Sequence, residues 1–467
     1  MADTFDYVIV GAGSAGCILA NRLTADGRST VCILEAGPRD WHPFIHIPAG
    51  FIHTLTMPRV NWLYEAEPTE AINGRVIPVP RGKTLGGSSS INGHIYNRGQ
   101  RMDFDGWAQK GNRGWGYNDV LPYFRRTEGR IGDADDTFRG RSGDLKVTDL
   151  GVTHPLCEAF IRGANEIGIP RNADYNGERQ EGISYVQRTA YKRRRMSTAR
   201  AFLNPARSRS NLTIRTGAHA TGLILEGKRA VGVRYAKGGR GGASMEVRAR
   251  REVIVSGGSV NSPQLLQVSG IGPGALLRSL GIEVRHELAG VGENLADHYA
   301  PRFGYRVKGA ETLNERSKGL RLAGEILNYF LGRESILALS PSMVYGFWHS
   351  DEATRPNDLQ FLFTPASYKQ GRHGLLDDHP GLTVAAWQHR PESRGYVRAR
   401  TADPFAPPAI QPNYLAAEKD QQVTVAAMKF ARRLVNTPQM RPYLLEEDYP
   451  GANVQSDDEL LAAARQW

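Results

Sequence analysis

The residues best suited to chemistry near the start of the chain form a glycine-rich turn between an apolar run and a helical pattern. Gly11, Gly13 and Gly16 have the spacing Gly-x-Gly-x-x-Gly, and Glu35 ends the next apolar run. Bare backbone can approach a pyrophosphate, a helix N-terminus offers amide donors, and an acidic side chain accepts from ribose hydroxyls. The spacing therefore predicts a dinucleotide site, and Glu35 disfavours a ribose 2′-phosphate.

Two further turns rich in glycine and serine could contact the same ligand. Residues 81–94 hold a diglycine followed by three serines, and residues 257–272 begin with a second diglycine turn. A bare, hydroxyl-rich loop suits contact with a planar ring system that forms hydrogen bonds, although a flexible linker has a similar composition. Together the three turns predict one extended dinucleotide.

The elements that position these turns follow from hydrophobic periodicity. Residues 7–10 and 31–34 are short apolar runs typical of buried parallel strands, and residues 17–25 have helical spacing. Residues 212–255 predict several strands, and a helix is expected near residues 263–268. Residues 359–363 and 382–388 predict strands of a larger sheet on one side of a pocket.

Composition excludes several other classes of protein. The 467 residues carry a formal charge of +11, but the only compact basic run is 192–195, so nucleic-acid binding is not expected. No apolar stretch approaches the roughly 18 residues of a membrane span, and three cysteines without a CxxC pair predict neither disulfides nor a metal site. A cytoplasmic protein is expected, either free or peripheral at the inner membrane.

At five places in the same order, the sequence resembles the glucose–methanol–choline (GMC) family of flavin oxidoreductases. These are the first turn with residues 35–37, and the stretches 82–92, 258–272, 290–298 and 390–414. The resemblance is strongest to choline-dehydrogenase-like members. It implies an α/β fold (α+β overall), with a Rossmann-like FAD-binding domain at 1–300 that includes a lid-like excursion at about 41–80. A substrate domain at 301–467, with an antiparallel sheet flanked by helices, would follow.

The resemblance also implies which residues contact FAD. Carried over position by position, they are Gly11, Gly13, Ser14, Ala15, Gly16, Glu35, Ala36, Thr84, Gly87, Ser88, Asn92, Gly93, His94, Ile95, Ala220 and Ser259. Some members attach FAD through a histidine in the second turn. The matching residue here is Ile91, so non-covalent FAD is expected.

The function implied is oxidation of the CH–OH group of an alcohol or a choline-like substrate, with hydride transfer to FAD and reoxidation by a quinone-like or other acceptor. In the family a histidine in a His-Pro-x-Gly-Thr-Cys-like segment acts as general base, with a later His or Asn beside it. Neither occurs in this sequence, so no catalytic residue is assigned. The chain is therefore expected to lack the family's C-terminal catalytic segment.

Three alternative functions remain at this point. A truncated FAD-binding remnant without catalysis would also carry the three turns. A nicotinamide-dependent dehydrogenase would be favoured if the first turn stood alone, and the serine-rich second turn argues against it. A lyase or a photoenzyme of the same family would need residues that the sequence does not identify.

Overall fold

The first glycine-rich turn lies on a six-stranded sheet, which we call the nucleotide sheet. The computed structural model describes residues 3–351, 357–370 and 374–466. Across the sheet the strands are Leu212–Thr216, Val31–Glu35, Asp3–Val10, Ala243–Val255, Arg229–Lys237 and Ala218–Glu226. The first four are parallel to their neighbours, and the last two are added antiparallel. Val31–Glu35 is buried along its whole length, as expected for a strand in a parallel sheet covered on both faces.

The register of the central strands brings the predicted turns to one edge of this sheet. Val10 is paired with Val255 on one side and with Leu34 on the other. The first turn, the third turn and Glu35 therefore all follow from carboxyl ends of parallel strands at the same edge. Ligands of open α/β sheets bind at this edge.

A second six-stranded sheet is antiparallel throughout. In order its strands are Leu444–Tyr449, Arg302–Val307, Gly381–Gln388, Leu359–Thr364, Val344–Trp348 and Gly182–Tyr185. The helices Pro155–Glu166 and Glu418–Val435 pack against it and share its apolar core, which includes Phe160, Phe361 and Phe430. One edge strand, Gly182–Tyr185, precedes the other five in the chain by more than a hundred residues.

Shorter elements connect these two sheets. Two of the small sheets have three strands: Glu128–Ile131 with Leu145–Asp149 and Gln187–Arg188, and Glu293–Leu295 with Gly395–Arg398 and Ala409–Gln411. The others are pairs of strands: Tyr64–Glu65 with Pro78–Val79, Ala190–Tyr191 with Arg194–Arg195, and Ile271–Gly272 with His286–Glu287. The other α-helices are Ser14–Leu23, Pro43–His46, Phe51–Thr54, Arg101–Gln109, Tyr117–Thr127, Asn204–Ala206, Gly258–Val268, Gly274–Ser279, Leu313–Arg316, Gly319–Phe330 and Asp457–Gln466.

The predicted fold class is confirmed. Every strand and helix predicted from periodicity is present, and the excursion at 41–80 holds only helical turns and two-residue strands. Cys17, Cys32 and Cys157 are free and buried. Among residues 3–351, 357–370 and 374–466, no helix is long and apolar enough to cross a membrane.

Candidate functional site

A cavity of about 560 Å³ runs along the edge of the nucleotide sheet where the turns meet. Its volume falls within the usual range of roughly 300–1,000 Å³ for ligand sites. Many of the predicted FAD contacts line it, namely Gly11, Gly13, Ser14, Ala15, Glu35, Ala36, Gly87, Ser88, Ala220 and Ser259. The structure therefore brings residues of the first, second and third turns to one elongated site.

At this cavity the first and second turns face each other through glycine backbone, without intervening side chains. A Cβ built on Gly87 would lie 2.7 Å from the Cα of Gly13, too close for any side chain. Gly11 has φ +94°, which favours glycine, and a Cβ there would lie 2.6 Å from the carbonyl oxygen of Ser256. The helix Ser14–Leu23 begins at Gly13 without a capping side chain or an acidic residue in its first turn. Its amides and positive dipole end therefore fit a pyrophosphate.

Glu35 lies at the cavity wall with both carboxylate oxygens held by backbone. Oε2 accepts from the amide of Ala12 at 3.0 Å, and Oε1 accepts from the amide of Gly37 at 2.9 Å. Burial raises the pKa of the Glu35 carboxyl to about 7, against the lowering effect of the two amides. Each oxygen keeps a free lone pair, so the carboxylate can accept from ribose hydroxyls as predicted.

One end of the cavity is aromatic, which sequence reasoning missed. Trp62 and His219 line it, and the His219 ring lies 5.6 Å from that of Trp62 and 4.5 Å from that of Phe405. His219 Nε2 lies 3.1 Å from the carbonyl oxygen of Pro404. These rings and the neighbouring Ala220 suit a flat base such as adenine. Trp62 lies in the weakly patterned excursion, so no local signal marked it.

Some predicted contacts do not line the cavity. Thr84 is buried, and its hydroxyl donates to the carbonyl of Pro38 at 2.9 Å. Gly16 has a packing role, since a Cβ there would lie 2.0 Å from the carbonyl oxygen of Gly11. The stretch Asn92, Gly93, His94 and Ile95 continues from the second turn toward the second sheet.

A buried arginine fixes this stretch. Arg195 is 1% exposed, and its Nη1 donates to Asn92 Oδ1 at 2.8 Å while its Nε donates to the carbonyl of Ile45 at 2.9 Å. Burial lowers the pKa of the Arg195 guanidinium to about 9, and none of the described carboxylates forms an ion pair with it. Asn92 Oδ1 also accepts from the amide of His94 at 3.0 Å. Arg195 therefore ties the excursion to the second turn.

His94 is a buried packing residue whose ring stays neutral near neutral pH. Its ring is buried with Nε2 3.0 Å from the Ser340 hydroxyl, and Nδ1 has no partner among the described residues. Burial, with the nearby charges of Arg195 and Arg188, holds the pKa of His94 well below its ordinary value. Ile95 is bridged to Arg188, and a Cβ on Gly93 would lie 2.6 Å from Pro341. The stretch is thus packed between Arg188 and residues 340–341.

A cluster of five rings lies on the second sheet and beside it. Ring centroids are 6.3 Å apart for Tyr345 and Trp387, 5.6 Å for Phe347 and His389, and 5.8 Å for His298 and His389. The indole nitrogen of Trp387 and Nδ1 of His389 are buried without a partner in the described part of the chain. Burial lowers the pKa of His389 to about 4. This cluster offers unpaired polar atoms among rings, as ligand sites do.

Comparison with known proteins agrees with this geometry. The N-terminal GMC oxidoreductase model matches residues 5–300, and the C-terminal GMC oxidoreductase model matches residues 391–467. The chain is 39% identical over 470 residues to the oxygen-dependent choline dehydrogenase of Photobacterium profundum, covering 100% of this chain and 82% of the relative. It is 38% identical to an alcohol dehydrogenase [acceptor] of Pseudomonas putida, and the match covers 99% of this chain and 83% of the relative. Among solved structures, pyridoxine 4-oxidase from Mesorbium loti superposes with a TM-score of 0.87 at 28% identity. The superposition covers 99% of this chain and 86% of that chain.

One expectation from the sequence is wrong. The chain does not lack the family's C-terminal part, because the C-terminal family model matches 77 residues from Pro391 to the last residue, Trp467. The reading as a truncated remnant without catalysis loses its basis for the same reason. With both family models matched in order and relatives aligned along the whole chain, this protein belongs to the GMC oxidoreductase family.

Proposed function

We propose that this chain is an FAD-dependent oxidoreductase that oxidises the CH–OH group of an alcohol. The observation that carries the proposal is the dinucleotide cavity, in which Gly13 and Gly87 oppose bare backbone beside Glu35. A nicotinamide enzyme would need the first turn alone, whereas here the second turn forms part of the same wall. Bound FAD supplies the two-electron acceptor that a carbinol hydride requires.

The residues of the cavity would hold the FAD as follows. The amides at the start of Ser14–Leu23 would donate to the pyrophosphate, and Glu35 would accept from the adenosine ribose. The rings of Trp62 and His219 would border the adenine beside the backbone of Ala220. Thr84 and residues 92–95 would lie near the flavin, with Asn92 held in place by Arg195.

The flavin would be bound without a covalent link. Ile91 is 2% exposed and packs against Ile45 and Val60, in a small apolar cluster that has no nucleophile. Acid precipitation should therefore release the flavin into the supernatant, and flavin remaining in the pellet would contradict the proposal.

The substrate side would lie where the second turn meets the second sheet. Ile95 packs against the core of that sheet, and the ring cluster of Tyr345, Phe347, Trp387, His298 and His389 occupies the sheet and its end. Aromatic faces attract cations, so a cationic alcohol such as choline suits the cluster better than an anionic one. This matches the substrate in the name of the Photobacterium relative. We propose an FAD-binding domain at 1–300 and a substrate domain at 301–467. The first range also contributes the strand Gly182–Tyr185 and the helix Pro155–Glu166 to the second sheet and its core.

The reduced cofactor would pass its electrons to a quinone-like or another acceptor. A cytoplasmic location is proposed because the three thiols are free and buried among the described residues. Burial raises the pKa of Cys17 to about 12, so it stays an unreactive thiol.

The test is anaerobic reduction of the bound flavin by a panel of alcohols that includes choline. We expect loss of the flavin's visible absorbance with at least one alcohol and none with NADH. The control is Gly13→Val, which should retain no flavin and therefore give no signal. Reduction by NADH but by no alcohol would support the nicotinamide-type alternative instead.

A further inference from the structure

The helix Gly319–Phe330 presents most of its large apolar side chains to solvent, whereas its buried residues are Glu325 and Tyr329. Leu320 is 93% exposed, Leu327 59% and Phe330 72%, and Ile326 and Leu331 are also exposed. The usual surface helix has the opposite arrangement, with its apolar stripe facing the core. Contiguous exposed apolar patches of this kind mark interaction sites.

The orientation of this helix is fixed from its inner side. Glu325 is buried, and its carboxylate accepts from Arg316 Nε at 2.7 Å and from the amide of Ile336 at 2.9 Å. The Ser335 hydroxyl donates to the Glu325 carbonyl at 2.8 Å. Turning the apolar face inward would break these bonds and leave a buried carboxylate unpaired, which is costly. The apolar face therefore faces outward by construction.

The basic run seen in the sequence lies against the end of the same helix. The hairpin of residues 190–195 turns at Lys192 and Arg193, which have φ +49° and +59°. Two-residue turns of this type are normally built from Asn and Gly, so two cationic side chains here hold a strained conformation. Arg193 Nη1 donates to the Arg333 carbonyl at 3.2 Å, and the Tyr329 hydroxyl donates to the Arg193 carbonyl at 2.9 Å.

Positive charge at this tip is not neutralised. In the part of the chain that the structure describes, no ion pair is formed by Lys192, Arg193, Arg194 or Arg333. The one carboxylate next to any of these cations in the sequence is that of Glu334, which follows Arg333. The first turn of the helix differs from the tip. There, the carboxylates of Glu311 and Asp378 lie at 2.5 Å and 3.3 Å from Arg321 and Lys318, so both ends of each pair are satisfied.

We propose that this surface docks the protein on an anionic phospholipid membrane. The docking face consists of Leu320, Ile326, Leu327, Phe330 and Leu331 with the basic tip 192–194 and Arg333. An amphipathic helix lying in the membrane plane buries its apolar face at the headgroup boundary while flanking cations contact anionic lipid. The inference goes beyond the proposed oxidation of an alcohol and does not depend on which alcohol is used.

A second copy of the chain fits this surface less well. Two copies meeting tip to tip would bring like charges together. If the basic tip of one copy met the first turn of the helix in another copy, its cations would face the carboxylates of Glu311 and Asp378. Both carboxylates already form ion pairs within their own chain. Anionic headgroups supply the missing negative charge, and acyl chains supply the apolar partner.

The experiment is co-sedimentation of the FAD-loaded full chain with vesicles. One set is phosphatidylcholine alone, and the other is phosphatidylcholine mixed with phosphatidylglycerol in equal parts. We expect binding to the mixed vesicles that weakens with added salt, and much weaker binding to phosphatidylcholine alone. The double variant Lys192→Glu/Arg194→Glu should lose on the order of thirtyfold in partitioning, at about fivefold per cation removed.

The apolar side is tested by Leu327→Glu, for which we expect at least about a tenfold loss. The matched control is Leu445→Glu, since Leu445 is 58% exposed against 59% for Leu327 but lies on an edge strand of the second sheet. Lys228→Glu/Lys237→Glu is the charge control, because both lysines are exposed and lie at opposite ends of the strand Arg229–Lys237. Both controls should bind vesicles as the parent does.

Three results would overturn the proposal. They are equal binding to both vesicle types, no binding to either, or equal losses in the control and test variants. A further contrary result is a dimer in analytical ultracentrifugation that Leu327→Glu converts to a monomer without any vesicle binding, which would assign the face to a second copy. Flavin retention and melting temperature, measured for every variant, establish that each is folded.

Discussion

At the scale of single residues, a branched side chain at Gly13 tests whether the first turn must keep bare backbone at the cavity. The backbone of Gly13 opposes Gly87 at the cavity, and a Cβ built on it would already lie 4.0 Å from the Gly87 Cα. Gly13→Val extends that side chain into the space between the turns and should abolish flavin retention after gel filtration. Gly106→Val is the matched control, since a Cβ there meets nothing within 4 Å. Equal retention in the two variants would contradict the assignment of this turn.

Glu35 should make FAD affinity depend on pH. Its pKa is raised by burial from 4.5 to about 7, so the flavin-free protein binds a proton there that a ribose hydroxyl donor would displace. Affinity should therefore rise about tenfold between pH 6 and pH 8, and Glu35→Gln should remove this dependence. Without flavin, the raised pKa contributes stability that is fully present below pH 4.5 and is lost as the pH rises through about 7. Fluorescence titration with FAD at several pH values measures the affinity. If the affinity of Glu35→Gln depended on pH as strongly as that of the parent, the assignment of this dependence to Glu35 would be refuted.

Neither His94 nor His389 should act as the proton acceptor. Burial holds both pKa values below the ordinary histidine value, and a base works best with a pKa near the operating pH. His94→Gln and His389→Gln should therefore change the rate of flavin reduction by alcohol less than about tenfold, whereas loss of a general base costs roughly 10²–10⁴-fold. A hundredfold fall with a shifted pH profile in either variant would identify that residue as the base.

At the scale of elements, Arg195 holds together the excursion, the second turn and the hairpin. Arg195→Met would leave the Ile45 carbonyl and Asn92 Oδ1 without their donor while removing a buried charge. We expect the free energy of unfolding to fall by about 1–3 kcal/mol and FAD affinity to weaken. Urea unfolding followed by circular dichroism measures the first quantity. Arg207→Met, an exposed position, is the control and should leave both unchanged.

The elements themselves were largely predictable, and their extents were not. Residues 7–10 and 31–34 are β-branched runs bounded by turn residues, so local sequence sufficed. Only residues 253–255 of the strand Ala243–Val255 had such a signal, because its earlier part alternates charged and apolar residues and is mostly exposed. In the site, the glycines followed from spacing. Trp62 and His219 did not, since distant segments bring them to the cavity.

At the scale of the whole molecule, FAD should stabilise the fold beyond its own domain. The cavity is lined by residues from Val10 to Pro404, so one ligand contacts segments spread over most of the chain. At a hundred times the dissociation constant, binding adds about 2.7 kcal/mol, and the melting temperature should rise by a few degrees. Differential scanning fluorimetry measures the shift. Retained flavin with no shift in melting temperature would contradict this prediction, because a ligand that binds only the folded state must stabilise it.

The pairing of Val10 with Val255 also has a consequence for synthesis of the protein on the ribosome. The strand Asp3–Val10 is completed early but has its parallel partner 245 positions later. At about 5–20 residues per second, this strand waits roughly 12–50 s for that partner to emerge. During this interval an apolar edge is exposed, and we therefore expect nascent chains shorter than about 260 residues to depend on chaperones.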